Sequence, residues 1–196
     1  MGSKEEIFAR IKAHGVDQVE RPEMTFTPLT FPEPLVQFEK ILKAVGANYV
    51  LLEKGQDVNE AIRKAYPEAK TIASNLPEVT CATVNPDKLD DPRELNGTDV
   101  GVIRGEFGVL ENGMVWINQH TRYKALFFIA EALVVLLDRN ELVNNMHEAY
   151  ARPDFDDYGY GCFIAGPSKT ADIEQALVIG AHGARGVTVI LQHPPL

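Results

Sequence analysis

Cysteine is scarce. The 196 residues include only Cys81 and Cys162, far apart and in no C-x-x-C pair, so the chain alone supplies neither a four-cysteine cluster nor a structural zinc site. Both read as buried thiols. No H-x-x-x-H or H-E-x-x-H spacing occurs among the five histidines, so a metal centre built from His120, His182 and a carboxylate lacks a motif to carry it, and no metal ligand is assigned. There is no Gly-Lys-Ser/Thr phosphate loop and no G-x-G-x-x-G fingerprint, which argues against nucleotide hydrolysis and a standard dinucleotide site. Positive charge is in deficit, with 19 Lys and Arg against 28 Asp and Glu and a net charge of -9. That balance disfavours nucleic acid or an anionic membrane surface as a partner. The longest apolar run, Ala125 to Leu137, is interrupted by Glu131 and too short to span a bilayer. The opening M-G-S-K-E-E-I-F lacks the basic and apolar regions of a secretory signal, and a cytoplasmic location is expected.

The hydrophobic content of 45% is that of a folded domain. Residues 1–33 read as an N-terminal helix and an extended connector, and 34–196 as a single α/β domain. Ser3 and Glu6 form a capping box for a helix through Ile7, Phe8 and Ile11, ending near Gly15. Four prolines between Arg21 and Pro34 suit an extended connector. Leu35, Phe38, Leu42 and Val45 then recur at helical spacing after Pro34, followed by a strand at Tyr49 to Leu52. Asp57 with Glu60 caps a second helix before a strand at Thr71 to Ala73. This alternation predicts a largely parallel sheet. Pro77 to Leu95 reads as an excursion at the sheet edge, with a short strand at Cys81 to Val84.

The middle of the chain is β-rich. Val100 to Leu110 and Met114 to Ile117 flank Glu111-Asn112-Gly113, and Asn-Gly is a strong hairpin signal. Gly101, Gly105 and Gly108 predict a bend or bulge in the first arm. Ala132 to Leu137 has the unbroken apolar character of a strand buried on both faces. Asn140 is expected to cap a helix with Leu142, Val143, Met146, Ala149 and Tyr150 inward. The loop from Arg152 to Gly161 leads into the stretch that organises the rest, Ile164 to Glu174, I-A-G-P-S-K-T-A-D-I-E, and its continuation to Arg185. A strand at Cys162 to Ala165, a helix carrying Ile173, Ala176, Leu177 and Gly180, and a strand at Val187 to Leu191 are predicted. The N-terminus of that helix would offer free backbone N–H groups to an anion over the carboxyl edge of the sheet, aided by Lys169. Asp172 and Glu174 in the first turn complement the helix dipole without any ligand, so a capped turn accounts for the same residues.

The run G-P-S-K-T-A-D-I-E followed by G-A-H-G-A-R-G-V-T-V-I-L resembles the carboxyl-terminal signature of the LUD-domain family, the lactate-utilisation protein C group. The resemblance is specific over Ile164 to Leu191 and collinear back to about Asp99. It implies a three-layer α/β fold with a mostly parallel sheet and an antiparallel hairpin, like that of the sugar-phosphate isomerase and coenzyme A transferase superfamily. It also implies a role in oxidising lactate to pyruvate alongside iron–sulfur oxidoreductase subunits. Any iron–sulfur cluster is then expected in those partners, with no cofactor in this chain. Lys169, Asp172, Glu174, His182 and Arg185 match the family pattern position by position, while Ala184 replaces its usual proline.

Two sets of residues can do chemistry. Gly166, Ser168, Lys169, Thr170, Asp172, Glu174, His182 and Arg185, joined by His120 and Arg122, form a candidate site for a small carboxylate or acyl ligand, because arginine binds carboxylates bidentately. The alternative is an enzyme of the coenzyme A transferase or sugar-phosphate isomerase type, with Glu111 as nucleophile or base. The run L-E-N-G-M-V resembles the glutamate loop of coenzyme A transferases, in which the glutamate attacks an acyl thioester. Leu110 in place of serine and the lack of a G-x-G-G-F segment depart from that pattern, and a charged residue beside an Asn-Gly turn accounts for it structurally. A homo-oligomer is compatible with either reading.

Overall fold

A computed structural model describes residues 3–15, 20, 27–152, 159–171 and 177–193. Helix α1 (Lys4–Ala13) has the expected capping box: the Ser3 hydroxyl accepts from Glu6 N–H, and the Glu6 carboxylate accepts from Ser3 N–H. None of its residues is buried. Of the proline-rich connector, residues 21–26 lie outside the described residues. Pro34 opens α2 (Pro34–Ala44), which buries Phe38 and Leu42 and leads into strand β1 (Asn48–Leu51). Asp57 caps α3 (Val58–Ala65) by accepting from Asn59 N–H, and Val58 and Ile62 turn inward. After it come β2 (Ile72–Ala73) and β3 (Val100–Arg104). In the excursion between these two, the expected strand at Cys81 to Val84 reduces to one bridge between Ala73 and Val84. Main-chain turns at Val79 and Ala82 keep the rest from pairing.

The remaining elements are β4 (Phe107–Val109), β5 (Val115–Asn118), α4 (Leu126–Ile129), β6 (Ala132–Asp138), β7 (Leu142–Val143), α5 (Met146–Tyr150), β8 (Gly161–Ile164), β9 (Lys169–Ala171), β10 (Leu177–Ile179) and β11 (Gly186–Gln192). Five strands in the order β1-β11-β6-β3-β2 form a sheet in which every neighbouring pair is parallel. The central strand β6 is buried on both faces, as its apolar run requires. Leu133, Val135 and Leu137 point into one cluster with Phe38 and Leu42 of α2. Val134 and Leu136 point into another with Val58 and Ile62 of α3. The mostly parallel central sheet with helices on both faces is thus the predicted class.

The antiparallel hairpin does not extend that sheet. β4 and β5 belong to a second sheet, ordered β7-β4-β5-β8, whose Leu110, Val115 and Ile117 join the α2 side of the core. The chain passes between sheets at Gly105, where a Cβ would stand 2.5 Å from Val115 Cγ1 and 2.9 Å from Val135 Cγ1. The bend expected from the glycines is therefore a crossing between sheets, possible only without a side chain.

Two helix predictions fail. Leu142 and Val143 pair with Gly108 and Val109 as β7, because Asp138 folds residues 138–141 into a turn by accepting from Asn140 N–H. The helix begins later, with Asn145 as its cap. In the signature stretch, β9 and β10 form an antiparallel ribbon, Thr170 opposite Val178, in place of the predicted helix. The β-branched residues Thr170, Val178 and Ile179 favour extended backbone. Residues 172–176, which include Ile173 and Ala176, lie outside the described residues, as do 153–158 of the preceding loop.

Candidate functional site

The signature loop is held at the amino edge of the parallel sheet, not at the carboxyl edge that a strand–helix unit would have placed it on. Its end runs directly into the start of β11, and Arg185 N–H donates to the Glu131 carbonyl just before β6 (2.8 Å). After β8 the chain turns at Gly166, with φ at 66°, so tightly that a Cβ would collide with the Val45 carbonyl at the end of α2. Ser168 N–H donates to the Ala184 carbonyl, and Gly180 N–H donates to the Ser168 carbonyl, both at 2.9 Å. These two bonds fold the segment back on itself and bring Ser168 beside Gly183, where a Cβ would lie 3.1 Å from Ser168 Cβ.

The fold-back makes a cavity of about 260 Å³ whose apolar walls include Phe127, Phe128, Leu133, Phe163 and Val187. Ser168 and His182 are its hydroxyl and imidazole. His182 also lines an adjoining cavity of about 410 Å³ with Glu131, Gly180 and Arg185. Arg185 Nη1 pairs with Glu131 Oε1 at 3.3 Å, both side chains being well exposed at 70% and 60%. A pair so solvated contributes little to stability, so its arginine exchanges readily onto an incoming carboxylate. Sharing Phe128, His182 and Gly183, the two cavities offer an apolar slot with a hydroxyl on one side, a guanidinium on the other and an imidazole common to both. Next to it, Leu177, Val178 and Ile179 of β10 and Phe128 and Ile129 of α4 are exposed.

The other sequence candidates are distributed differently. Gly166 lines the slot. The Lys169 ammonium donates to the Val45 carbonyl, a cation at a helix C-terminus. Thr170 is taken up in the β9–β10 ribbon. Asp172 and Glu174 lie outside the described residues. Glu111 is near the same end of the second sheet, because Val115 pairs with Ile164, and both Gly113 and Gly166 pack on Val45. Its exposed carboxylate, however, accepts from Met146 N–H at 3.0 Å and so serves the first turn of α5. His120 and Arg122 are at the opposite, carboxyl edge. The His120 ring bonds the Glu106 carboxylate, and Asn75, just beyond β2, donates to the His120 carbonyl. Arg122 donates from its backbone to Asp87 and from its guanidinium to the Leu89 carbonyl. Five to seven strand residues separate the two edges, roughly 15–20 Å, so His120 and Arg122 do not join the signature site.

Sequence reasoning passed over the aromatic wall, Phe127, Phe128 and Phe163, and the acidic partner Glu131. The only signal for the last was the charge interrupting an apolar run. Burial pushes the pKa of the Cys162 thiol up, and burial first, then the neighbouring Cys162, raises that of the Tyr160 hydroxyl beside it. Cys81 is buried in a separate cluster. Among the described residues no group of three or more His, Cys, Asp or Glu side chains gathers to hold a metal ion, and no helix is long and apolar enough to cross a membrane.

Comparison with known proteins bears on the same segment. The LUD domain model matches residues 78–192, extending the resemblance well upstream of the signature. Lactate utilization protein C of Oceanobacillus iheyensis is 31% identical over 101 residues, covering 47% of this chain and 43% of the relative. Lactate utilization protein C of Anoxybacillus flavithermus is 29% identical over 113 residues, covering 56% and 50%. The chain thus matches about half the length of these curated relatives. A crystal structure of a DUF162 family protein from Deinococcus radiodurans shares the fold, with a TM-score of 0.64 at 20% identity over 84% of this chain and 99% of that one.

Proposed function

Because this chain belongs to the LUD-domain family, we propose that it is a binding subunit in lactate utilisation, acting with iron–sulfur oxidoreductase partners that oxidise L-lactate to pyruvate. The observation that carries this reading is the coincidence of the family signature with a built cavity: Gly166 to Ser168 and His182 to Ala184, all within the stretch that matches the family, line the slot. A small hydroxy acid fits its chemistry. The methyl group faces the phenylalanine wall, the hydroxyl meets His182 or Ser168, and the carboxylate takes Arg185 from Glu131. Removal of two electrons and two protons from lactate then falls to the partners, and this chain binds and orients. The exposed apolar side chains of β10 and α4 beside the slot support a subunit covered in an assembly rather than an enzyme acting alone.

Isothermal titration with L-lactate, pyruvate and short acyl-coenzyme A thioesters tests the site. Binding of at least one is expected, with loss in the paired variant His182→Ala and Arg185→Ala. A ligand at a hundred times its dissociation constant would also add about 2.7 kcal/mol to wild-type stability. Unchanged affinity of the paired variant for every compound would remove the site. The alternative, acyl transfer through Glu111, is not favoured by a carboxylate already engaged with Met146 N–H. Mass spectrometry after acyl-coenzyme A and borohydride would reveal a modified Glu111 if it were correct.

A further inference from the structure

The open edge of the parallel sheet carries a self-complementary surface. β1 and β2 are the two edges. β2 has only two residues and is shielded: Val84 bridges Ala73, and the Thr83 hydroxyl accepts from Ile72 N–H. β1 has no strand on its outer side among the described residues. Its sequence, Asn-Tyr-Val-Leu, contains none of the charges, prolines or glycines that blunt exposed edges. Leu52 N–H donates to the Leu191 carbonyl of β11 at 2.8 Å. Since main-chain groups alternate in direction along a parallel strand, those of Val50 also face β11, and those of Tyr49 and Leu51 face outward.

Beside this edge runs a cavity of about 570 Å³, bordered by Val50 and Thr188 and by the Glu60, Ala61, Lys64 and Ala65 face of α3. Glu60 and Lys64 are exposed, and neither has an ion-pair partner among the described residues. They are one helical turn apart and opposite in sign, with small alanines beside them that permit close approach of another helix. An arrangement of this kind matches itself when inverted. Two copies of α3 running antiparallel set each Glu60 against the other's Lys64.

We propose that β1 and α3 form a two-fold interface with a second copy of this chain. The β1 strands pair antiparallel, as identical strands about a two-fold axis must. Val50 lies on the axis opposite its equivalent, and Tyr49 exchanges main-chain hydrogen bonds with Leu51 of the second copy on each side of it. Two Glu60–Lys64 pairs cross the axis above them and give the charge pattern that selects another copy of this chain over an unrelated strand.

Sedimentation analysis of charge-reversed variants tests this. Wild type is expected to dimerise at micromolar concentration. Glu60→Lys and Lys64→Glu each place like charges across the axis and should each weaken association about tenfold. An equimolar mixture of the two variants should recover association as a heterodimer, because every crossing pair is again opposite in sign. Both substitutions lie on the exposed face of α3 but oppose its dipole, Glu60 standing in the first turn and Lys64 in the last, so each monomer should stay folded with an unfolding midpoint slightly below that of wild type. As a backbone test, Leu51→Pro removes an outward N–H while leaving the β11 ladder intact, and should also weaken the dimer. A wild type that stays monomeric, single variants that associate like wild type, or a mixture no tighter than either variant alone would each overturn the interface.

Discussion

Replacing Gly166 with alanine tests how the signature loop is seated. Two independent costs converge at this residue. Its φ of 66° is a left-handed conformation, which a Cβ penalises by about 1–2 kcal/mol. The added methyl would also meet the Val45 carbonyl oxygen, a main-chain atom at the end of α2 that no rotamer change can move aside. Forcing an atom into such a space costs about 1–3 kcal/mol, so the variant should lose roughly 2–5 kcal/mol in all. Gly55 supplies the control, with φ at 89° and nothing within 4 Å of where a Cβ would stand. Gly55→Ala should show the backbone cost alone, about 1–2 kcal/mol. Urea denaturation of both variants beside wild type gives the two differences, and equal m-values would show that the unfolded states are comparable. Equal losses in the two variants would refute the seating of Gly166 against α2. Because Gly166 also lines the slot, its variant should weaken ligand binding where the Gly55 variant does not.

Three further outcomes follow from the same structure. Glu111→Gln removes a charged acceptor from Met146 N–H and should cost about 1 kcal/mol in stability while leaving ligand affinity intact; a large loss of affinity would return Glu111 to the site. Asp99 is held below its ordinary value of 3.8 by the backbone N–H groups of Thr71 and Lys70. A depressed carboxylate stabilises the folded state above its unfolded pKa, and that contribution is lost as pH falls through the lower folded value, so Asp99→Asn should flatten the acid limb of stability below about pH 4. An unchanged slope would show that Asp57 and Asp91, also depressed, carry the effect. Phe38 is fully buried between the sheets and should cost about 3–5 kcal/mol on truncation to alanine, measured by denaturant unfolding; a loss under 1 kcal/mol would mean that the core collapses to fill the space.

What the sequence determined by itself was local. The Ser3–Glu6 capping box, the Pro34 helix start, the Asp57 cap and the apolar run of β6 each follow from neighbours within a few residues, and each formed, though Asp57 caps through Asn59 N–H without Glu60. So did the class of the fold, because regular alternation of helix and strand leaves few other ways to bury both faces of a strand like β6. The family of the chain was also legible, carried by a run of residues whose order survives without knowing their positions. The tertiary structure alone decided where elements of ambiguous propensity went. Leu142 and Val143 suit either period and became strand because β4 presented an open edge. The stretch after Pro167 matched a helix by spacing, yet its described residues Lys169 to Ala171 and Leu177 to Ile179 pair as a ribbon, held in place by bonds from Ser168 to Ala184 and from Gly180 to Ser168. The candidate site shows the same division. Ser168, His182 and Arg185 were visible as a motif, but their cavity depends on Phe127, Phe128 and Phe163 from two distant segments, and on Glu131 arriving opposite Arg185. His120 and Arg122, chemically suited to the same ligand, were carried to the other edge of the sheet. Which strand ends meet is a property of sheet order, and sheet order is settled by long-range packing that no local pattern records.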